Sequence, residues 1–379
     1  TLTSRSDAEL AVAVHVAIRA PGERRPSESL SELRELARTA GIEIVEELIQ
    51  KRRQVDHRFV VGKGKLEELV LASMQRGAEL IIFDRDLTPA QARSIADITE
   101  AKVIDRTQLI LDIFAQRATT AAGKLQVELA QLKYALPRLA GKNTAMSRLA
   151  GGIGGRGPGE TQLEIDRRRA KSRIGQLQKR IKQLSGQRDN RRRKRQRSGV
   201  PTVAIVGYTN AGKSTLLNAL TGSEVLAEDK LFATLDPTTR RLRFPDEREL
   251  ILTDTVGFIR DLPSDLVTAF KATLEELIHA DILLHVVDIS DDEWSERMEA
   301  VERILLELGA NDKPGLVVFN KIDRVIDQEA LEGACQRHQA IALSALDRGS
   351  FVALDEALVR IIGAHRPSWR CLLYTSDAA

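Results

Sequence analysis

Val203-Ala-Ile-Val-Gly-Tyr-Thr-Asn-Ala-Gly-Lys-Ser-Thr-Leu-Leu-Asn-Ala-Leu220 decides how this chain is read. A β-branched run at 203–206 ends at Gly207, and five residues later Gly212-Lys213-Ser214 opens an apolar helical pattern through Leu216, Leu217 and Leu220. This is G-x-x-x-x-G-K-[ST] in its strand–loop–helix setting, a phosphate-binding loop. Glycines let successive backbone N–H groups, here of Asn210, Ala211, Gly212 and Thr215, close around phosphate oxygens, and the helix N-terminus adds a positive dipole end. Lys213 reaches the β- and γ-phosphates, and the Ser214 hydroxyl is a ligand for Mg²⁺. A plain glycine turn is the bland alternative, and the Lys-Ser pair with both flanks correct argues against it.

Downstream, Leu231-Phe-Ala-Thr-Leu-Asp-Pro-Thr-Thr239 lies between the first helix and a hairpin expected over 240–244 and 249–253. Thr234 is the candidate to complete Mg²⁺ coordination only when a γ-phosphate is present, with Thr238 and Thr239 as competitors. Asp254-Thr-Val-Gly257 closes the apolar strand 250–252. Asp254 is placed to hold Mg²⁺, and the Gly257 N–H to sense the γ-phosphate. Strands at 282–289 and 315–319 lead to Asn320-Lys321-Ile322-Asp323. The Asp323 carboxylate suits the guanine N1–H and amine, which adenine lacks, so the pairing selects GTP over ATP. The Ser344-Ala345 backbone is placed for guanine O6. In this order along one doubly wound sheet, the motifs predict a GTPase domain with ligand at the carboxyl ends of the strands. Phe258 follows Gly257 and cannot orient a water by hydrogen bonding, so intrinsic turnover is expected to be slow. Asn210 has two readings of equal weight: a ligand for a K⁺ that replaces an arginine finger, or a cap for its own loop.

Working outward, the chain has 379 residues and a formal charge of +3, room for two or three domains with any polyanion surface being local. Two distant cysteines and six scattered histidines fit no metal or disulfide spacing, which suits a reducing cytoplasmic setting. No apolar run is long enough for a membrane span, and the start, which lacks Met, shows no leader pattern. Residues 1–117 alternate apolar runs with helical patterns: strands at 10–18, 42–49, 79–83 and 102–105, helices at 29–40, 66–75 and from Thr88-Pro89. That predicts a small α/β domain with a mainly parallel sheet. The loop 61–65, Val-Gly-Lys-Gly-Lys, is either an ordinary turn with solvated lysines or, less favoured, a phosphate or RNA contact.

Near 120 the period changes. Leu125, Leu129, Leu132, Leu136 and Leu139, then Leu163, Ala170, Ile174, Leu177, Ile181 and Leu184, form two heptad seams interrupted at Arg167. They predict an antiparallel helical hairpin over 118–198, the alternative being two helices packed on a neighbouring domain. The connection, 141–160, carries Gly151, Gly152, Gly154, Gly155, Gly157 and Gly159 with Arg148 and Arg156, and reads as a functional tip rather than a linker. From Glu164 to Ser198 there are fifteen Lys/Arg and three acids, ending in Arg191-Arg192-Arg193-Lys-Arg195. That excess favours phosphate contact, and the near absence of aromatics points to structured RNA rather than unpaired bases. The GTPase domain is expected over 199–365, with 366–379 an unassigned tail that reads as truncated or spliced on.

Residues 207–215, 232–239, 254–258, 124–132 and 151–160 resemble HflX-type GTPases of the Obg–HflX group. The resemblance covers about 10–365, and the glycine-rich loop is its most diagnostic part. It implies an N-terminal α/β domain, a helical (coiled-coil) hairpin and a Ras-like P-loop GTPase domain. It also implies binding to the large ribosomal subunit and its rRNA near the peptidyl-transferase centre, splitting of stalled or idle ribosomes, and a monomer when free. Members have been credited with ATP binding through the N-terminal domain, for which this sequence offers no Walker motif. Gly155 stands where the family usually carries threonine, and many bacterial members have a further C-terminal domain. A ribosome-assembly checkpoint, in which the nucleotide domain only reports its state, is the second reading. An ATP-driven RNA enzyme is disfavoured by Asn320–Asp323.

Overall fold

The computed structural model describes residues 9–18, 25–139, 162–197, 200–222, 231–235, 237–244, 249–260, 274 and 276–365, with 162–163, 187–197 and 362–365 as backbone only. The glycine-rich connection, with Arg148, Gly151, Gly152, Gly154, Gly155, Arg156 and Gly157, lies outside them, as do the side chains of Arg191, Arg192 and Arg193. The described residues group into two compact units, one up to Leu184 with 231–235, the other holding the rest.

In the first unit the order is β1 (Glu9–Ile18), α1 (Pro26–Ala40), β2 (Ile42–Arg52), α2 (Lys63–Arg76), β3 (Leu80–Phe83), α3 (Pro89–Thr99), β4 (Lys102–Asp105), α4 (Arg106–Arg117) and α5 (Ala121–Arg138), followed by α6 (Gln162–Arg197), which belongs to this unit as far as Leu184. The four strands form a parallel sheet in the order β2-β1-β3-β4. Local chemistry sets the boundaries. Gly41 and Gly77 end α1 and α2 in left-handed conformation, and Thr88 with Gln91 forms a capping box for α3. Of the 61–65 stretch, Val61 and Gly62 turn into α2 and the rest is helical: Gly62 is the N-cap, and Lys65 pairs with Glu68 at 2.7 Å on the first turn.

Two features depart from the sequence pattern. Helix α4 buries Leu109, Ile110, Leu111, Ile113 and Phe114 around most of its circumference, so it shows no polar face and no legible period. The fully buried positions of α5 are Gly123, Gln126, Val127, Leu129 and Ala130, whereas Leu139 of the expected seam is exposed. The face is turned because α5 is anchored to the end of the sheet. Tyr134 donates from its hydroxyl to Asp105 at 2.6 Å, and Arg138 donates to the same carboxylate at 3.0 Å. Against α6, Arg173 makes a bidentate pair with Glu128 at 2.7 and 2.9 Å. Each partner lies about equally far from the connection, as antiparallel pairing requires. Ala170 and Leu177 are buried on α6 and Arg167 is exposed.

Asp84, just past β3, is the polar centre of this unit. It accepts from His15 Nδ1 at 3.0 Å, from Arg106 at 2.9 Å and from the Ser29 hydroxyl. Burial opposes its ionisation, but these partners outweigh burial and hold the carboxyl below the usual carboxylate range. The segment 231–235 folds with this unit: Phe232, at φ +53°, meets Phe114 edge-on at 4.7 Å, and the Leu231 N–H donates to Thr39 Oγ1 at 3.3 Å.

The second unit contains β5 (Thr202–Val206), α7 (Lys213–Thr221), β6 (Thr238–Arg243), β7 (Glu249–Asp254), β8 (Ile282–Asp288), α8 (Trp294–Glu307), β9 (Gly315–Asn320), α9 (Gln328–His338), β10 (Ile341–Ala342) and α10 (Val352–His365). Its sheet order is β10-β9-β8-β5-β7-β6, parallel except for the β6–β7 hairpin. One face packs Val203, Ile205, Leu284 and Val286 on Leu216, Leu217, Leu354 and Leu358 of α7 and α10. The other packs Val287 and Phe319 on Met298, Leu331 and Ala334 of α8 and α9. Helices on both faces explain why the inner strands are continuously apolar rather than alternating. The strand order reverses between β5 and β8, the crevice where such sheets take nucleotides.

Candidate nucleotide site

The loop between β5 and α7 is held by close backbone approaches that only glycine permits. Gly207 has φ +154°, and a Cβ there would enter the Val286 carbonyl oxygen of β8. Gly212 has φ +89°, and a Cβ there would overlap Asn320 Nδ2. Asn210 is also left-handed, at φ +60°, a conformation asparagine tolerates better than most residues. That backbone reason for asparagine is independent of any cation. Helix α7 starts at Lys213, so its unpaired N–H groups face the loop.

Lys213 is buried and donates to the Tyr208 carbonyl at 2.7 Å. Burial pushes its pKa down to about 8, opposed by the Asp254 carboxylate and assisted by Lys321. The next residue, Ser214, donates from Oγ to Asp254 Oδ2 at 2.6 Å. Hydroxyl and carboxylate oxygens side by side at a helix N-terminus are the donor types a hard divalent cation takes, so Ser214 and Asp254 fit Mg²⁺. Thr255 donates to the Ile205 carbonyl at 2.7 Å and fixes the strand end beneath them. Gly257 fits closely too: a Cβ there would stand 3.0 Å from Lys213 Nζ and from Thr209. Phe258 is buried; its N–H donates to Gly207 at 3.1 Å and its carbonyl accepts from Thr209 at 2.8 Å.

At the base-recognition end, Asn320 is a buried strut. Its Nδ2 donates to the Ala211 carbonyl at 2.8 Å, and its Oδ1 accepts the Ala345 N–H at 2.9 Å. One side chain thereby locks the phosphate loop to the 344–345 loop. Lys321 turns through φ +65° and pairs with Asp288 at 2.6 Å. Ser344 Oγ donates to Asp323 Oδ1 at 2.5 Å and orients an otherwise exposed carboxylate.

The structure thus gathers Ala211, Gly212, Lys213, Ser214, Asp254, Gly257, Asn320 and Asp323 along the carboxyl ends of β5, β7 and β9. Thr215 lies in the first turn of α7. Thr234 lies in the segment that folds with the first unit. Sequence reading missed Tyr208, His285 and Asp288. Asp288 closes β8 in the register opposite Asn320, a position that strand alignment alone can reveal.

A phosphate loop, a carboxylate facing its serine, and an oriented acid after Asn-Lys define a P-loop GTPase. The family described as GTP-binding GTPase N-terminal matches residues 27–115, the one described as GTP-binding GTPase Middle Region matches 117–195, and the 50S ribosome-binding GTPase family matches 202–321. The GTPase HflX of Caldanaerobacter subterraneus subsp. tengcongensis is 54% identical over 296 residues, 78% of this chain and 69% of that protein. GTPase HflX of Escherichia coli K12 is 50% identical over 321 residues, 85% and 75% of the two chains. The chain belongs to the HflX family of GTPases. No helix among the described residues is long and apolar enough to cross a membrane.

His285, on β8 beside Val206, is buried and its Nε2 has no hydrogen-bond partner. Burial, and secondarily the Lys213 ammonium, pushes its pKa down to about 4 from an ordinary 6.5. The unfolded chain therefore takes the proton first on acidification. Stability from this group is complete above about pH 6.5 and is lost as pH falls through 4. Between pH 7 and 5 the loss expected from His285 is roughly 2 kcal/mol. Urea titrations of wild type and His285→Leu at both pH values check this; an equally steep acid loss in the variant would refute it.

Proposed function

We propose that this protein is a GTP-gated factor that binds the large ribosomal subunit and its rRNA and splits stalled or idle ribosomes. The observation that carries the reading is the exposed basic surface of α6, where Arg167, Arg168, Arg169, Lys171, Lys179, Arg180 and Lys182 face solvent against Glu164 and Asp166. Although Asp166 pairs with Arg169 at 3.8 Å, the basic side chains far outnumber the acids, and such an excess of one sign suits the phosphate backbone of structured RNA. The match of 202–321 to a 50S ribosome-binding family supports the same partner. In this reading the helix continues into Arg191–Arg193, and the glycine-rich connection with Arg148 and Arg156 enters the RNA site.

The nucleotide site then acts as the latch. Lys213 and the loop N–H groups hold the β- and γ-phosphates, and Asp323, with Lys321, Ser344 and Ala345, selects guanine. Ser214, Asp254 and, in the triphosphate state, Thr234 would hold Mg²⁺, which supplies charge neutralisation at the phosphates. Gly257 donates its N–H to the third phosphate. Phe258, being buried and apolar, gives the attacking water no hydrogen bond, so hydrolysis is slow until a partner or a cation at Asn210, K⁺ being the candidate, supplies what is missing. Sucrose-gradient profiles of purified ribosomes test the role. With GTP or a non-hydrolysable analogue, subunits should appear at the expense of intact ribosomes, and deletion of 151–159 should abolish this. Profiles unchanged under every condition would remove the splitting role.

A further inference from the structure

Tyr208 occupies the second position of the phosphate loop, where the motif asks for no particular side chain. In the folded protein it is a junction. Its carbonyl accepts from Lys213 Nζ at 2.7 Å, and its phenol oxygen accepts the backbone N–H of Arg260 at 2.9 Å. It also pairs with Phe258 in a short parallel bridge made by the Phe258–Gly207 and Thr209–Phe258 bonds. The ring is buried under the Arg297 guanidinium at 5.1 Å. Arg260 and Arg297 are in turn fixed by Glu293 at 3.4 Å and Asp291 at 2.7 Å, at the start of α8. The stretch 257–260 is therefore held against the phosphate loop by two backbone bonds at its near end and by one phenol at its far end.

We propose that Tyr208 is a positioning residue for the third phosphate: by accepting the Arg260 N–H, its hydroxyl fixes the segment that begins at Gly257, and with it the N–H that distinguishes triphosphate from diphosphate. The inference rests on the reading of Gly257 as the γ-phosphate sensor. The space beside Gly257 is small, since even a Cβ added there would stand 3.0 Å from Lys213 Nζ and from Thr209. The far anchor accordingly sets the angle at which its N–H is presented. A diphosphate does not reach that N–H, so the anchor matters to one nucleotide only.

Tyr208→Phe removes the acceptor and keeps the ring, its packing and its contact with Arg297. Equilibrium binding of GDP and of a non-hydrolysable GTP analogue, both with Mg²⁺, should show the analogue weakened about 2- to 10-fold, the range of one neutral hydrogen bond, and GDP changed by less than about twofold. Equal weakening of both nucleotides, or none of either, would overturn the proposal, since a merely structural tyrosine would not alter their ratio. Gly257→Ala, measured alongside, separates the two layers. If it leaves the analogue-to-GDP ratio unchanged, the sensor reading itself fails. If it changes the ratio while Tyr208→Phe does not, only the role of Tyr208 fails.

Discussion

Asp323→Asn is expected to exchange guanine for xanthine nucleotides, lowering preference for GTP over xanthosine triphosphate by about 10⁴-fold, as found where a buried polar match is lost. The carboxylate offers two acceptors to the guanine N1–H and amine. Asparagine offers one acceptor and one donor, the complement of xanthine. Orientation survives the change, because the Ser344 hydroxyl that donates to Asp323 Oδ1 at 2.5 Å can donate to an amide oxygen equally well. The Asn320 strut between Ala211 and Ala345 is untouched. Competition binding with the two triphosphates checks it, and a variant that still strongly prefers GTP would remove Asp323 from base recognition.

The second large effect is structural. Gly207→Ala places a methyl group inside the Val286 carbonyl oxygen, and backbone cannot give way as a flexible side chain can. The expected loss is about 3 kcal/mol or more, lowering the thermal midpoint by roughly 6–12 °C for a unit of this size. Gly222→Ala is the control. Its φ of +62° lies in the left-handed region that alanine enters at modest cost, unlike the +154° of Gly207, and a Cβ there meets nothing within 4 Å. It should cost about 1 kcal/mol. Equal midpoints for the two variants would show that neither the contact with β8 nor the φ of +154° sets the requirement at Gly207.

The strands were legible because β-branched runs such as 203–206 and 80–83 are buried on both faces and bounded by turn residues. The phosphate loop was legible because its chemistry prescribes residue types at fixed spacing. Helix α4 was not, since burial all round removes the polar face on which period detection depends. The leucines of α5 promised a seam, yet Asp105, from the sheet, captures Tyr134 and Arg138 and turns the helix so that Gln126 and Val127 are buried. Tyr208, His285 and Asp288 escaped for a common reason. Each acquires its role from a neighbour more than thirty residues away in sequence or across a strand register, and no local pattern encodes that neighbour.

The basic helix and the nucleotide latch meet in one claim, that triphosphate state governs attachment to the large subunit. Co-sedimentation with purified large subunits tests it most directly, comparing wild type with Asp323→Asn and supplying GTP analogue, xanthosine triphosphate analogue or GDP. Wild type should pellet only with the GTP analogue and the variant only with its xanthosine counterpart. Equal pelleting of both proteins with every nucleotide, GDP included, would contradict the account.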